Sequence, residues 1–303
     1  MRYAKYVGWY ANAVSGAYNY PISMSLLSDT PELYLDLMKK CLTRYIFPET
    51  YTPLRRPPLT LRRAAWVLYP PVAAILKSRG LSLFREADVN LTERAEGRDW
   101  PADAETMIGL KRLDNLHFCI QQVLREGIPG DFIETGVWRG GACIFMRAAL
   151  QAYGDTSRTV WVADSFEGLP KPDGRYSQDS GDRHWKKSEV LGIPLEQVQA
   201  NFSRYGLLDD RVRFLKGWFK DTLPSAPIEK LAILRLDGDM YASTMDSLVN
   251  LYPKLSPGGY IIIDDYSEIA TCSQAVDDFR RTHSITTPLT PIDSCAVYWK
   301  KSS

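Results

Sequence analysis

Histidine is scarce, with three in 303 residues (His117, His184 and His283), and cysteine offers no metal-binding spacing. The five cysteines, Cys41, Cys119, Cys143, Cys272 and Cys295, are odd in number, widely spread and contain no C-x-x-C pair. Neither a zinc ribbon nor a disulfide framework is indicated, and the thiols read as small apolar side chains in a reducing compartment. No run approaches the ~18 consecutive apolar residues of a spanning helix, and the N-terminus lacks the compact apolar stretch of a secretion signal. A cytoplasmic protein is expected, with membrane contact disfavoured. A dominant charge is missing too, since 37 basic against 36 acidic residues leave a net charge near +1. Such a balance creates no field that recruits nucleic acid. Internal repeats and low-complexity tracts are also missing.

What is present is an ordinary globular composition, 45% apolar and 24% charged, on a chain long enough to bury a substantial core. Two textures divide it near Trp100-Pro101. In the first, "TPELYLDLMKKCLTRYIF" predicts a helix with Thr30 as N-cap and Pro31 at the first helical position. Leu33, Leu37, Cys41 and Tyr45 then share one face that needs something to pack on. The following basic segment is broken by Pro57-Pro58 and Pro70-Pro71, with apolar residues around Trp66 and from Val72 to Leu76. It predicts an arm docked on its own domain or on a partner subunit, in preference to a membrane-surface helix. Residues 1–100 are thus expected to form a helical arm or lid, and residues 101–303 the main domain.

From Pro101 onward helices and strands alternate, the pattern of an α/β fold with a mainly parallel sheet covered on both faces. "ETMIGLKRLDNLHFCIQQVLREG" reads as a helix with Leu113, Leu116, Ile120 and Val123 or Leu124 inward. Strands are expected at Phe132 to Glu134, Val160 to Asp164, Val212 to Leu215, Leu231 to Asp237, Tyr260 to Asp264 and Ala296 to Trp299.

Chemistry concentrates at the ends of those strands. In "GDFIETGVWRGGACIFM", Gly136, Gly140 and Gly141 permit a tight turn and close backbone approach to a ligand at a helix N-terminus. The spacing is not that of the G-x-G-x-x-G dinucleotide fingerprint. Glu134 closes the strand with a carboxylate, which suits an ammonium group and would repel a pyrophosphate. Asp164 ends the next strand, where a carboxylate can accept two hydrogen bonds from ribose hydroxyls. Trp218 either covers a planar base or belongs to the core.

The most acidic stretch is "LRLDGDMY", which ends one strand in Asp237 and Asp239, while "IIIDDY" ends the next in Asp264 and Asp265. In an open parallel sheet these ends lie side by side at the ligand crevice. Four converging carboxylates raise one another's pKa unless a cation sits among them. Oxygen donors without cysteine or histidine favour Mg²⁺ or a similar hard divalent ion. Arg235 is the internal competitor that would make the cluster structural. The aperiodic segment from Gly168 to Pro194 is long enough for a lid or binding loop, and Tyr176, Asp182, His184 and Trp185 suit one that faces a substrate.

As a set, "TMIGLKRLDNL", "FIETGVWRGG", "ADSFEGLP", "GWFKDTLP", "LRLDGDMYASTMDSL" and "GGYIIIDDY" resemble the macrocin O-methyltransferase family. The resemblance covers about Thr106 to Lys300, with "LYLDLMKKCLTRYIF" similar to the family's N-terminal helix. It implies a Rossmann-like class I methyltransferase fold and S-adenosylmethionine- and Mg²⁺-dependent methylation of a sugar hydroxyl on a small-molecule glycoside. It further implies that Thr106, Met107, Glu134, Thr135, Gly136, Arg139, Gly140, Gly141, Asp164, Ser165 and Trp218 bind the methyl donor. Asp237, Asp264 and Asp265 would hold the metal, Asp239 would be the general base, and Tyr176, His184, Tyr241 and His283 would face the acceptor. A homo-oligomer is expected. Two alternatives stand beside this reading: methylation of a catechol-like phenol, disfavoured by Met240 where such enzymes usually carry lysine, and a non-catalytic donor-binding scaffold. The segment from Arg55 to Arg98 is not matched by the resemblance.

Overall fold

The computed structural model describes residues 30–54 and 63–302. Its strands are β1 (Tyr51–Pro53), β2 (Phe84–Glu86), β3 (Asp131–Thr135), β4 (Val160–Asp164), β5 (Val212–Lys216), β6 (Leu231–Leu236), β7 (Leu255–Ile263), β8 (Thr290–Pro291) and β9 (Val297–Lys300). The first two form a separate antiparallel pair, and the other seven form one sheet in the order β5-β4-β3-β6-β7-β9-β8. From β5 to β7 the pairing is parallel, and β9 runs antiparallel to β7. The order reverses between β3 and β6, so their carboxyl ends open onto the crevice where open α/β sheets bind ligands. Six of these strands fall where the alternation placed them; β8 and the β1–β2 pair are too short to leave a periodic signal.

Helices α1 (Thr30–Leu42), α4 (Gly109–Arg125), α5 (Gly141–Ala152) and α6 (Leu195–Arg204) build the core on one side of the sheet. On the other side lie α7 (Tyr241–Leu251) and α8 (Ala270–Thr282). The central strands β6 (LAILRL) and β7 (ending YIII) are apolar along nearly their whole length because both faces are covered. The inward face expected for α4 is the one observed, with Leu113, Leu116, Ile120 and Val123 all buried. Helix α5 is buried from Gly141 to Leu150 because it lies between the sheet and α1.

The N-terminal region departs from expectation in two places. The buried apolar side chains of α1 are Leu35, Met38 and Leu42, whereas Leu33 and Leu37 are exposed at 60% and 52%. Both sets fit a 3.6-residue period, and the pairing with α5 selects the second. Tyr45 leaves the helix altogether, because Arg44 adopts a left-handed φ of 56° and the Tyr45 N–H turns back to the Lys40 carbonyl. Helix α2 (Arg63–Ser78) runs straight through Pro70 and Pro71. Among the described residues of this chain nothing packs over its Val67, Leu68, Val72 and Ile75, which stay exposed. Exposure is what tolerates the prolines, because water satisfies the carbonyls that lose their intrahelical donors. The break expected at Pro57-Pro58 and the side chain of Trp66 lie outside what is described. A short helix α3 (Leu91–Ala95), capped by the Asn90 side chain, leads toward the main domain. No described helix is long and apolar enough to cross a membrane.

The choice of face on α1 is testable by denaturation. Leu35→Ala should lower stability by about 2–5 kcal/mol, the cost of a buried cavity, while Leu37→Ala should change it by less than about 0.5 kcal/mol. Equal effects in urea melts would contradict the observed packing.

Candidate active site

Backbone hydrogen bonds continue past the ends of the central strands and align the residues that follow. The Gly136 N–H donates to the Ala163 carbonyl at 2.9 Å, Asp237 to Thr135 at 2.9 Å, and Asp264 to Leu236 at 2.9 Å. Gly136 has a φ of 87°, and a Cβ there would lie 1.7 Å from the Asp237 carbonyl oxygen. Only glycine fits. The exit of β3 therefore presses directly on the exit of β6.

Arg235 lies between Glu134 on β3 and Ile262 on β7 in the sheet register. Its side chain is 1% exposed. The guanidinium bonds Glu134 and Asp264 closely and reaches Asp237 Oδ2 at 2.9 Å. A second buried arginine, Arg112 on α4, donates to the other Asp264 oxygen at 2.5 Å and to Asp293 at 2.7 Å. Asp293 is itself fixed by the N–H groups of Cys295 and Ala296, each at 2.8 Å.

Carboxylates still outnumber guanidiniums in this cluster. One oxygen each from Asp237, Asp264 and Asp265 lies within 4.8 Å of the others. Burial, then the charges of Asp239, Asp237 and Asp264, pushes Asp265 well above the usual carboxylate range. Asp237 is raised likewise by burial and by Asp264, against the opposing pull of Arg235. An all-oxygen donor set with excess negative charge fits a hard divalent cation. Arg235 is thus a partner of the cluster, and Asp265 is outside its hydrogen bonds.

Asp239 occupies the turn beyond β6 with a left-handed φ of 57°. Its N–H donates to Asp265 Oδ2 at 3.3 Å, and the Met240 N–H closes on the Gly238 carbonyl at 2.6 Å. A non-glycine residue held at positive φ is a local strain of the kind that collects at functional sites, and aspartate is among the side chains that tolerate it best.

These residues floor a cleft of about 1200 Å³. That exceeds the ~300–1,000 Å³ of a single drug-sized site and leaves room for two ligands side by side. The segment from Gly168 to Pro194 forms one wall, contributing Lys171, Asp182, His184 and Trp185 among others.

The family described as "Macrocin-O-methyltransferase (TylF)" matches residues 31–301. The chain belongs to the macrocin O-methyltransferase family. It is 49% identical over 279 residues, 92% of this chain and 96% of the relative, to the 8-demethyl-8-(2,3-dimethoxy-alpha-L-rhamnosyl)-tetracenomycin-C 4'-O-methyltransferase of Streptomyces olivaceus. It is 46% identical over 275 residues, 90% and 97% of the two chains, to the mycinamicin III 3''-O-methyltransferase of Micromonospora griseorubida. The solved structure of the O-methyltransferase NovP, 44% identical, superposes with a TM-score of 0.75 over 90% of this chain and 100% of that one. The protein is an O-methyltransferase with the Rossmann-like class I fold, which sets aside the non-catalytic scaffold.

Of the residues that the family resemblance implied for the donor, Thr106, Met107, Glu134, Gly136, Asp164, Ser165 and Trp218 line the cleft. Trp218 is half-buried in its wall and so is not a core tryptophan. The carboxylates at the strand ends carry internal work as well. Asp164 accepts the Val137 N–H at 2.8 Å and the Phe166 N–H at 2.7 Å, which fixes both flanking turns. Glu134 bonds Arg235 on one oxygen and the Cys143 thiol, at 3.0 Å, on the other. Ligand groups would meet only their remaining lone pairs.

Four implied donor residues are not in the cleft wall. Thr135 is fully buried and bonds Ser247 on α7, because its side chain points to the opposite face of β3 from Glu134. Arg139 caps the carbonyls of Ala102 and Ala104 at 2.7 and 2.8 Å. Gly140 and Gly141 serve packing: a Cβ on them would meet Val198 at 2.8 Å and the Glu105 carbonyl at 2.6 Å. They seat α5 against residues 105–106 and α6.

On the acceptor side His184 lines the cleft, its Nδ1 paired with Asp182 at 3.0 Å. Tyr176 and Tyr241 do not; they pack on each other with ring centroids 5.0 Å apart, and the Tyr241 hydroxyl turns to Asp278. His283 is not among the residues that line the cleft; at the end of α8 it stacks on Phe279 at 4.1 Å and its Nδ1 bonds the Phe279 carbonyl. The sequence reading missed Arg112, Asp293 and Asp179. Arg112 did leave a signal, as a charged residue one turn before Leu116 on the apolar face of α4.

The raised pKa values of Asp237 and Asp265 mean that the folded chain holds protons the unfolded chain releases. The stability they contribute is full below the ordinary carboxylate pKa and is lost as pH rises through the raised values. At pH 8 in EDTA, Asp265→Asn should therefore melt about 3 °C or more above the wild type, with the gap closing at pH 4. An unchanged or lower Tm at pH 8 would contradict the charge excess.

Proposed function

We propose that this O-methyltransferase carries the methyl group of S-adenosylmethionine to a sugar hydroxyl of a glycosylated natural product, with Mg²⁺ as its metal. The observation that carries the reading is the Asp237, Asp264 and Asp265 oxygen triad beside the strained Asp239 turn at the floor of a cleft large enough for donor and acceptor. The tetracenomycin and mycinamicin relatives, O-methyltransferases named for a 4' position on a rhamnosyl-tetracenomycin and a 3'' position on mycinamicin III, support the acceptor class.

Asp237, Asp264 and Asp265 would hold the cation, with Asp264 oriented by a guanidinium on each oxygen. When bound, a divalent cation supplies the Lewis acidity that brings a sugar hydroxyl toward neutral pH, and two adjacent sugar oxygens suit it best. S-adenosylmethionine supplies a methyl group on a positively charged sulfur that leaves as a neutral thioether. Asp239, two residues beyond Asp237, takes the hydroxyl proton. Gly136 brings the donor turn against β6, the remaining lone pairs of Glu134 face the donor's ammonium group, and those of Asp164 face its ribose. Trp218 covers the base. The wall from Gly168 to Pro194 shields the reacting atoms from water, and His184 faces the acceptor. Met240 after Asp239 favours the sugar over a catechol-like phenol. The exposed apolar faces of α1 and α2 support a homo-oligomer.

Asp239→Asn should lower kcat by about 10²–10⁴-fold, the usual worth of a general base, while titration calorimetry with S-adenosylhomocysteine shows donor affinity unchanged within about threefold. Wild-type turnover in this variant would remove Asp239 from the chemistry. Excess EDTA should abolish methylation and added Mg²⁺ restore it; turnover persisting in EDTA would exclude the metal from the proposal.

A further inference from the structure

Helix α7 begins immediately after the turn that carries Asp239, and its own N-cap position, Met240, provides no side-chain cap. The first N–H groups of a helix need acceptors. Here they find one 62 residues upstream in the cleft wall: Asp179 accepts the Tyr241 N–H on Oδ1 and the Ala242 N–H on Oδ2, each at 2.9 Å. Asp179 is 2% exposed. Two further contacts seat the same loop on the same two turns of helix. Arg175 grips Asp246 with both terminal nitrogens at 2.8 Å, and the Tyr176 ring lies on Tyr241.

The loop that walls the acceptor side and the turn that holds Asp239 thus share one anchor. Asp239 sits two residues before the first capped N–H, at a left-handed φ of 57° in a turn closed by the Met240 N–H on the Gly238 carbonyl and by its own N–H on Asp265. We propose that Asp179 is a positioning residue for the methyl transfer: by capping α7 from the acceptor loop, it sets the Asp239 turn and ties its geometry to the seating of the loop. This deepens the reading above and rests on Asp239 taking the acceptor's proton.

The effect should be selective. The hydrogen bonds of Asp179 go to the Tyr241 and Ala242 N–H groups of α7, so its loss should fall first on the Asp239 turn and less on the donor-side turns. Misplacing a catalytic group by about 1 Å costs on the order of 10²-fold in rate.

The test compares Asp179→Ala, Asp179→Asn and Asp239→Asn by kcat, acceptor KM, calorimetric affinity for S-adenosylhomocysteine, and limited trypsin cleavage at Arg175 and Arg183. Asp179→Ala should lose about 100-fold in kcat with donor affinity within threefold and faster cleavage in the loop. Asp179→Asn keeps one of the two acceptor oxygens and should recover part of that loss in kcat, an outcome a merely structural role would not produce. If Asp239→Asn loses turnover while Asp179→Ala keeps wild-type kcat, the proposal alone is overturned. Wild-type turnover in Asp239→Asn overturns the base assignment and the proposal with it. A fall in donor affinity as large as the fall in kcat, even in Asp179→Asn, would mark general destabilisation and also overturn it.

Discussion

Arg235 places a guanidinium in the middle of the sheet, where every face is covered, and its charge is tolerable there only because Glu134, Asp237 and Asp264 reach it from three directions. A buried ion of this kind costs several kcal/mol of solvation that only paired, hydrogen-bonded partners offset. The pairing runs both ways. The arginine lets acidic residues stand at the ends of adjacent strands without driving them apart, and the acids let an arginine interrupt an otherwise apolar β6. The carboxyl edge of the sheet is therefore held together by the chain's own charges, with Asp265 left outside the hydrogen bonds of Arg235.

Much of this architecture is readable from the chain. Strand ends in a parallel sheet are positions that periodicity can locate, so Glu134, Asp164, Asp237 and Asp264 could be placed on one edge without coordinates. The role of each oxygen could not. Asp164 was matched to a ribose, and the structure shows its oxygens first holding the turns at Val137 and Phe166. Thr135, Arg139, Gly140 and Gly141 flank cleft residues in the chain while their own side chains or α-carbons pack elsewhere, since adjacent strand residues face opposite ways and a helix start needs close packing of its own. On α1 two apolar stripes obey the same period, so only the partner helix α5 decides between Leu33 and Leu35. Asp179 left no signal at all, because a cap borrowed across 62 residues follows no local rule.

The two halves of the cleft are built differently. On the proposed reading, the donor side consists of backbone turns fixed by Asp164, Ser165 and the strand ladder. The acceptor side rests on a long loop joined to α7 through Asp179, Arg175 and Tyr176.

Gly136 joins these halves. With its α-carbon pressed against the Asp237 carbonyl, the end of β3 and the end of β6 are as close as two peptide chains can come. On the proposed reading, one chain end presents the methyl group and the other the oxygen that receives it. The missing side chain then acts as a gauge block: it fixes the gap across which a bond must form, and any added methyl group at residue 136 would be subtracted from the precision of the transfer.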